Sequence, residues 1–401
     1  MADELREFYP PSRLLMGPGP SNVHPQVLQA MAAPVVGHLD PDFLGIMEDV
    51  REMLRQVFQT HNHLTLPISG TGTAGMEAAV CNVLEPGDTF VVAINGYFGE
   101  RLAEIGVRHG AQVHLVSTPW GKPVDPAVLE DELKRHPRVK AVGVVHGETS
   151  AGVLTPLPEI AALTHAHDAL LIVDAVTSLG GVELAMDQWD IDVCYSCTQK
   201  CLGAPPGLSP LSLNPRAMKV LEERKTKVQS FYLDLALLES YWTTLRAAYH
   251  HTAPISLIYA LREALRLVLI EGLEQRFQRH ARIAAALRAG LEALGLKLFA
   301  DPAYRLDPLT TVIAPEGIDE QEVRRHLLKE YNIEIGGGFG PLKGKGWRIG
   351  LMGYNAQEIN VFTLLSALEH ILPRLGCEVP RGESVAAAQR VLASYAPAVE
   401  R

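Results

Sequence analysis

Between residues 64 and 213 the chain repeats one pattern. Short, unbroken runs of Val, Ile, Leu and Ala alternate with longer stretches whose apolar residues recur at helical spacing. The runs predict strands over 65–68, 89–94, 111–117, 139–146, 170–174, 193–196 and 208–213. The intervening spacing predicts helices over 75–83, 98–109, 126–135 and 157–167, after two earlier ones at 25–32 and 43–59. Strands that are apolar throughout must be covered on both faces. Separated by helices, they imply an α/β protein with a mostly parallel, seven-stranded sheet between helical layers.

The pattern then changes. Residues 255–294 predict a long helical stretch, with Gly272 and Gly290 as interruptions. Beyond Gly295, strands over 296–299, 310–314 and 347–351 and helices over 320–331 and 355–371 predict a compact α+β unit. The organisation expected is a proline-rich arm (1–20), a large domain (21–272), a smaller C-terminal domain (273–376) and an Ala-rich tail (377–401) with a short surface helix. No internal repeat is evident.

Composition narrows the class. With 401 residues, 47% hydrophobic and 20% charged, the chain reads as an ordinary globular protein. A net charge of −10 argues against nucleic acid as a partner. No apolar run reaches the roughly 20 residues that span a bilayer, and the charged start MADELREFYPPSR is no secretory signal, so a cytoplasmic location is expected. Five cysteines include Cys194-x-x-Cys197, but no second pair completes a zinc site. The pairs His61/His63, His165/His167 and His250/His251 also lack further ligands at a plausible spacing, so no metal is expected.

Sheets of this kind bind ligands beyond the carboxyl ends of their strands, and three features fall there. The run 170–173 ends in Asp174, and an acid at the mouth of a buried strand needs a cation or strong donor. The run 193–196 leads to Lys200 in a loop broken by Gly203, Pro205, Pro206 and Gly207, where a lysine among small and apolar residues can become a nucleophile towards aldehydes. Taken singly, Asp174 reads as a turn cap and Lys200 as a surface lysine. The third feature is Gly70-Thr71-Gly72-Thr73-Ala74-Gly75 before a helix, a loop suited to phosphate. Acid, amine and phosphate loop together are what pyridoxal 5'-phosphate requires. The same glycines satisfy G-x-G-x-x-G, but the next strand ends in Asn95-Gly96 rather than a ribose-binding acid, which weakens a dinucleotide reading.

These residues sit in longer matches: GPGPSN near Gly17, LTLPISGTGTAGMEA, NVLEPGD, HGETSAGVL, LLIVDAVTSLGG, YSCTQKCLGAPPG, RKTKVQSFYLD, AYHHTAP and WRIGLMG. Through them the chain, as far as Leu372, resembles fold-type I pyridoxal phosphate enzymes of the class V aminotransferase family. Within that family it looks most like the alanine–glyoxylate and serine–glyoxylate (serine–pyruvate) aminotransferases. The resemblance implies that Lys200 carries the cofactor and acts as base, and that Asp174 pairs with the ring nitrogen. It implies further that Thr149 bonds the phenolic oxygen, that Val176 and Phe98 cover the ring faces, and that Thr71, Gly72, Thr73 and Gln199 hold the phosphate. Tyr249 and Thr252 would reach the phosphate from the second subunit of a homodimer, and Arg348 would clamp the substrate carboxylate. Phe98 stands where the nearest relatives have tryptophan, and Thr73 where some have histidine.

The implied reaction is a ping-pong transamination between a small amino acid, alanine or serine, and glyoxylate or pyruvate. Rival readings keep the cofactor for 2-aminoethylphosphonate or phosphoserine, which need a second cationic group; Arg13, Lys343 and Lys345 are available. Cysteine desulfuration would need a mobile cysteine, and Cys201 is poorly placed for that. An NAD-dependent oxidoreductase and a non-catalytic binding protein complete the alternatives.

Overall fold

The computed structural model describes residues 9–243 and 248–395; the first eight residues of the arm and the end of the tail, 396–401, lie outside it. The large sheet has the seven predicted strands: β1 (Leu64–Ser69), β2 (Thr89–Ile94), β3 (Gln112–Ser117), β4 (Ala141–Val145), β5 (Leu170–Asp174), β6 (Val193–Tyr195) and β7 (Leu208–Leu213). Their order is β1-β7-β6-β5-β4-β2-β3. Strands β2 to β6 pair in parallel, while β7 runs antiparallel to both β6 and β1. Strands β4 to β7 are buried at every residue, as continuous apolar runs require.

The helices that matter for the site follow β1 and β2. They are α1 (Gly72–Val83) and α2 (Tyr97–Arg108), followed by α3 (Pro126–Arg135), which packs on β2 and β3. The glycine loop's topology removes the dinucleotide reading. In that unit the strand before the loop is the first of a parallel pair, whereas β1 is an edge strand antiparallel to its only neighbour. The three glycines are explained by close packing instead. A Cβ on Gly75 would come within 1.9 Å of Ser209 Oγ, and one on Gly72 within 3.1 Å of Cys197 Cβ.

The stretch 255–294 is two helices, α4 (Ile255–Glu271) and α5 (Leu273–Ala293), broken at Gly272 with φ +84°. Gly290 does not interrupt α5. It is there because a side chain would strike Leu365 Cδ1 at 2.2 Å on the facing helix α6 (Glu358–Arg374). A four-stranded antiparallel sheet follows, in the order β8 (Lys297–Leu298), β9 (Leu309–Ile313), β11 (Gly346–Gly350), β10 (Gly336–Gly337). Helix Glu383–Ser394 in the tail is more than a surface helix: Ala388 and Leu392 join the second hydrophobic core with Leu287, Leu291 and Leu368.

The arm is not merely extended. Leu14–Leu15 pairs in parallel with Ile333–Glu334, Gly350 N donates to Met16 O at 2.8 Å, and Ser21 N donates to Gln199 O at 2.9 Å. Residues 14–21 thus join the four-stranded sheet to the loop that carries Lys200.

Candidate active site

Beyond the carboxyl ends of β5 and β6, a cavity of about 300 Å³ is lined by Thr71, Gly72, Thr73, Phe98, Asp174, Val176, Gln199, Lys200 and Arg348, all named from the sequence. Pro18, Gly19, Met76, Arg101 and Phe339 complete it. Thr149 is buried after the Gly147–Glu148 strand but does not line this space. Tyr249 is 64% exposed and Thr252 is exposed, both away from the cavity of their own chain.

Lys200 follows β6 in a loop whose backbone is held by Gly203 N to Lys200 O and by Ser21 Oγ to Lys200 O. Its Nζ donates to the carbonyl of Pro18. Gly19, at φ +109°, is required beside it, since a Cβ there would meet Lys200 Cδ and Cε at 2.6 Å. Burial lowers the ammonium's pKa, and the positive charge of Arg348 lowers it further. The amine is therefore eased towards its neutral, nucleophilic form.

Asp174 closes β5. Its Oδ1 accepts from Val176 N at 2.8 Å and its Oδ2 from Tyr195 Oη at 3.0 Å. Burial raises its pKa to about 6, against the effect of those two donors and of Lys200 and Arg101. No cation forms a salt bridge with it among the described residues. A desolvated carboxylate with only neutral donors favours a positively charged N–H facing it.

On the opposite wall, helix α1 begins at Gly72. Thr71 caps it in extended geometry without a side-chain cap bond; Ala74 N turns back to Thr71 O at 2.7 Å, which leaves the amides of Gly72 and Thr73 for an anion. Gln199 Oε1 is buried and has no hydrogen-bond partner among the described residues. Arg348, on β11, is buried; its Nε donates to Gly337 O at 2.8 Å and its Cζ lies 3.9 Å from the Phe339 ring centroid. It makes no salt bridge with Glu334 or any other described carboxylate, and burial lowers its pKa to about 10. A desolvated guanidinium with its terminal nitrogens unpaired suits a carboxylate.

Four contributors escaped the sequence reading. Arg101 bonds Thr73 Oγ1 at 3.1 Å and lies 4.9 Å from the Phe98 ring centroid. Tyr195 supports Asp174. Glu148, fully buried, accepts from Phe98 N at 3.1 Å, Ser150 N at 2.9 Å and Ser150 Oγ at 2.7 Å, and so anchors the start of α2. Gly96 makes room for it, since a Cβ there would lie 2.4 Å from Glu148 Cγ. Phe339 stacks under Arg348. Spacing alone gives no signal for Arg101, which looks like one more cation on an amphipathic helix. The other cations weighed from the sequence, Arg13, Lys343 and Lys345, do not reach the cavity. A second hollow of about 310 Å³, behind the Lys200 loop, contains Arg276 and Arg279, but both are answered by Glu271 and backbone carbonyls.

A lysine eased towards neutrality, an uncompensated buried acid and an anion cradle on one small cavity fit pyridoxal phosphate. The comparisons with known proteins agree: residues 14–358 match the class V aminotransferase family. The chain belongs to that family. It is 46% identical to the alanine–glyoxylate aminotransferase of Callithrix jacchus, over 92% of this chain and 89% of the relative. Its structure matches that of the ureidoglycine–glyoxylate aminotransferase of Bacillus subtilis with a TM-score of 0.94, 46% identity and coverage of 96% and 99%. The alanine–glyoxylate aminotransferase of a Nostoc species matches with a TM-score of 0.90, 50% identity and coverage of 92% and 97%. The fold is therefore fold-type I, and the protein is an aminotransferase that uses pyridoxal phosphate with amino acid and 2-oxo acid substrates. Among the described residues no helix is long and apolar enough to cross a membrane.

Proposed function

We propose that this chain transfers the amino group of a small amino acid, alanine or serine, to glyoxylate, with pyruvate as the alternative acceptor. The observation that carries the reading is the meeting of Lys200, Asp174 and Arg348 on one cavity beside the Thr71–Thr73 loop. Pyridoxal phosphate, when bound, supplies an aldehyde that joins amines and a ring that accepts the electron pair left at Cα. Lys200 would be the amine that holds it and the base that takes the Cα proton on Nζ. Asp174 would keep a proton on the ring nitrogen. Phe98 and Val176 would cover the two ring faces; Thr149, to which the resemblance gives the phenolic oxygen, stands outside the cavity lining and would have to turn towards the ring to bond it.

Thr71, Gly72, Thr73 and Gln199 hold the phosphate, with Arg101 adding charge beside Thr73. The site is completed in a cytoplasmic homodimer by Tyr249 and Thr252 of the partner subunit. The exposure of both residues on their own chain supports that placement. Arg348 clamps the carboxylate common to every donor and acceptor, while the small cavity favours short side chains.

A second donor, ureidoglycine, is favoured by the likeness to the Bacillus subtilis enzyme over almost the whole chain. Purified protein assayed with alanine, serine and ureidoglycine against glyoxylate and pyruvate separates these readings. Glyoxylate should be the better acceptor, with ping-pong kinetics. A yellow colour that borohydride does not bleach, or turnover independent of any 2-oxo acid, would refute the proposal.

A further inference from the structure

The outer edge of the large sheet carries a second constellation. Strand β3 is the edge strand, three positions from β5 in the sheet, and none of the residues concerned lines the cofactor cavity. His114 on β3 faces the last turn of α3, where Glu132 and the C-cap residue His136 lie four apart. One ligand atom from each residue lies within 4.8 Å of the other two.

The two imidazoles lie against each other, with centroids 3.7 Å apart and planes tilted by 33°. Glu132 is held from both sides: Oε2 accepts from Arg135 at 2.7 Å, and Oε1 lies 3.0 Å from His136 Nε2. His114, although half-buried, makes no hydrogen bond among the described residues.

We propose that His114, Glu132 and His136 bind one divalent transition-metal ion of the zinc class. Two imidazoles and a carboxylate suit zinc, cobalt or nickel, whereas magnesium and calcium require oxygen ligands. Such ions sit roughly 2.0–2.2 Å from nitrogen and oxygen ligands. Small rotations of three side-chain tips bring the atoms to that distance, and water takes the remaining position. Glu132 Oε1 exchanges the His136 N–H for the metal, and His136 gives up its proton to solvent if it carries two. Arg135 stays on Oε2 and orients the carboxylate, as outer partners do at metal sites. The ion bridges an edge strand to the helix that covers it, so it braces the sheet edge rather than taking part in transamination. The ligands are separated by 18 and 4 residues on two elements, which is why no spacing motif exposes them.

The test uses tag-free holoenzyme titrated with Co²⁺ and followed in the visible d–d region, with Zn²⁺ in calorimetry. Saturation is expected at one equivalent per chain. H114A and H136A should each weaken binding by about tenfold or more, and E132Q by less. Zn²⁺ should raise the thermal midpoint of the parent protein by mass action and not that of H114A. Transaminase activity of H114A, unchanged without metal, certifies that this variant is folded and keeps the result separate from the functional reading above. Co²⁺ spectra and affinity that are the same in the H114A/H136A double variant as in the parent, or no saturable binding in the parent, would overturn the proposal.

Discussion

Two buried aspartates on neighbouring strands of one sheet are treated oppositely. Asp192, at the entrance to β6, is fully buried and saturated. It takes Arg216 Nε at 2.7 Å, Asn214 Nδ2 at 2.8 Å, Leu171 N at 2.7 Å and His165 Nε2 at 2.8 Å. Asp174, at the exit of β5, is equally buried but has only an amide and a phenol. The first acid brings its own cation and fixes Asp190, Arg216 and the start of β6. The second is left electrostatically incomplete, which costs stability unless a ligand supplies the charge. Position in the sheet decides which is which: the incomplete acid is at the carboxyl edge, where ligands bind.

Substitutions sharpen this contrast. The largest effect is expected outside the pair: K200A should lower turnover by at least about 10⁴-fold, checked by steady-state assay. Next, D174N should cut kcat by about 10²-fold with the melting temperature held or raised, because it removes an uncompensated buried charge. D192N should do the reverse, keeping kcat but costing about 1–2 kcal/mol in denaturant unfolding, since it removes the buried charge shared by Arg216, His165, Asn214 and Leu171 N and leaves Arg216 and His165 to Asp190 alone. Equal loss of activity in both variants, at equal stability, would erase the distinction.

A third change addresses pH. Burial raises Glu148 to about 7, yet all three of its partners are donors, so the ionised form accepts from them more strongly than the protonated one. Activity should fall as pH drops through about 7, and E148Q should lose this limb at a cost of about fivefold in kcat/KM. The stability trend has the opposite sign. Glu148 and Asp174 both have folded values above their ordinary 4.5 and 3.8, so the folded cofactor-free protein keeps protons that the unfolded chain releases. Their contribution to stability should therefore decline as pH rises from about 4 towards 7, while that of His146 and His280, which burial holds neutral down to about 3, rises over the same range. The difference between the urea titrations of the parent and E148Q isolates the Glu148 part. The smallest effect is Y195F, which removes one donor to Asp174 and should cost about 1 kcal/mol, close to fivefold in kcat.

Much of this was legible in the sequence because the signals were local. Unbroken apolar strands specified the sheet, Asp174 and Lys200 ended or followed such strands, and Arg348 stood out as a lone cation in an apolar run. The contributors that escaped are those that chain folding alone brings in. Arg101 and Glu148 are 47 residues apart in sequence, yet both converge on Phe98, one over its ring and one on its amide. Tyr195 reads as an ordinary strand residue until its hydroxyl is seen on Asp174. Gly290 misled for the same reason: its partner Leu365 is distant in sequence, so a packing requirement looked like a helix break.

The strap of residues 14–21 has a mechanical consequence. It is bonded at one end to Glu334 and Gly350, next to the strand of Arg348, and at the other to Gln199 and Lys200. The group that grips a substrate's acid end and the group that attacks its carbon are thus reins on a single short cord. Any swing of the small sheet must tug on the reactive amine, so grip and reactivity are geared together before a substrate arrives.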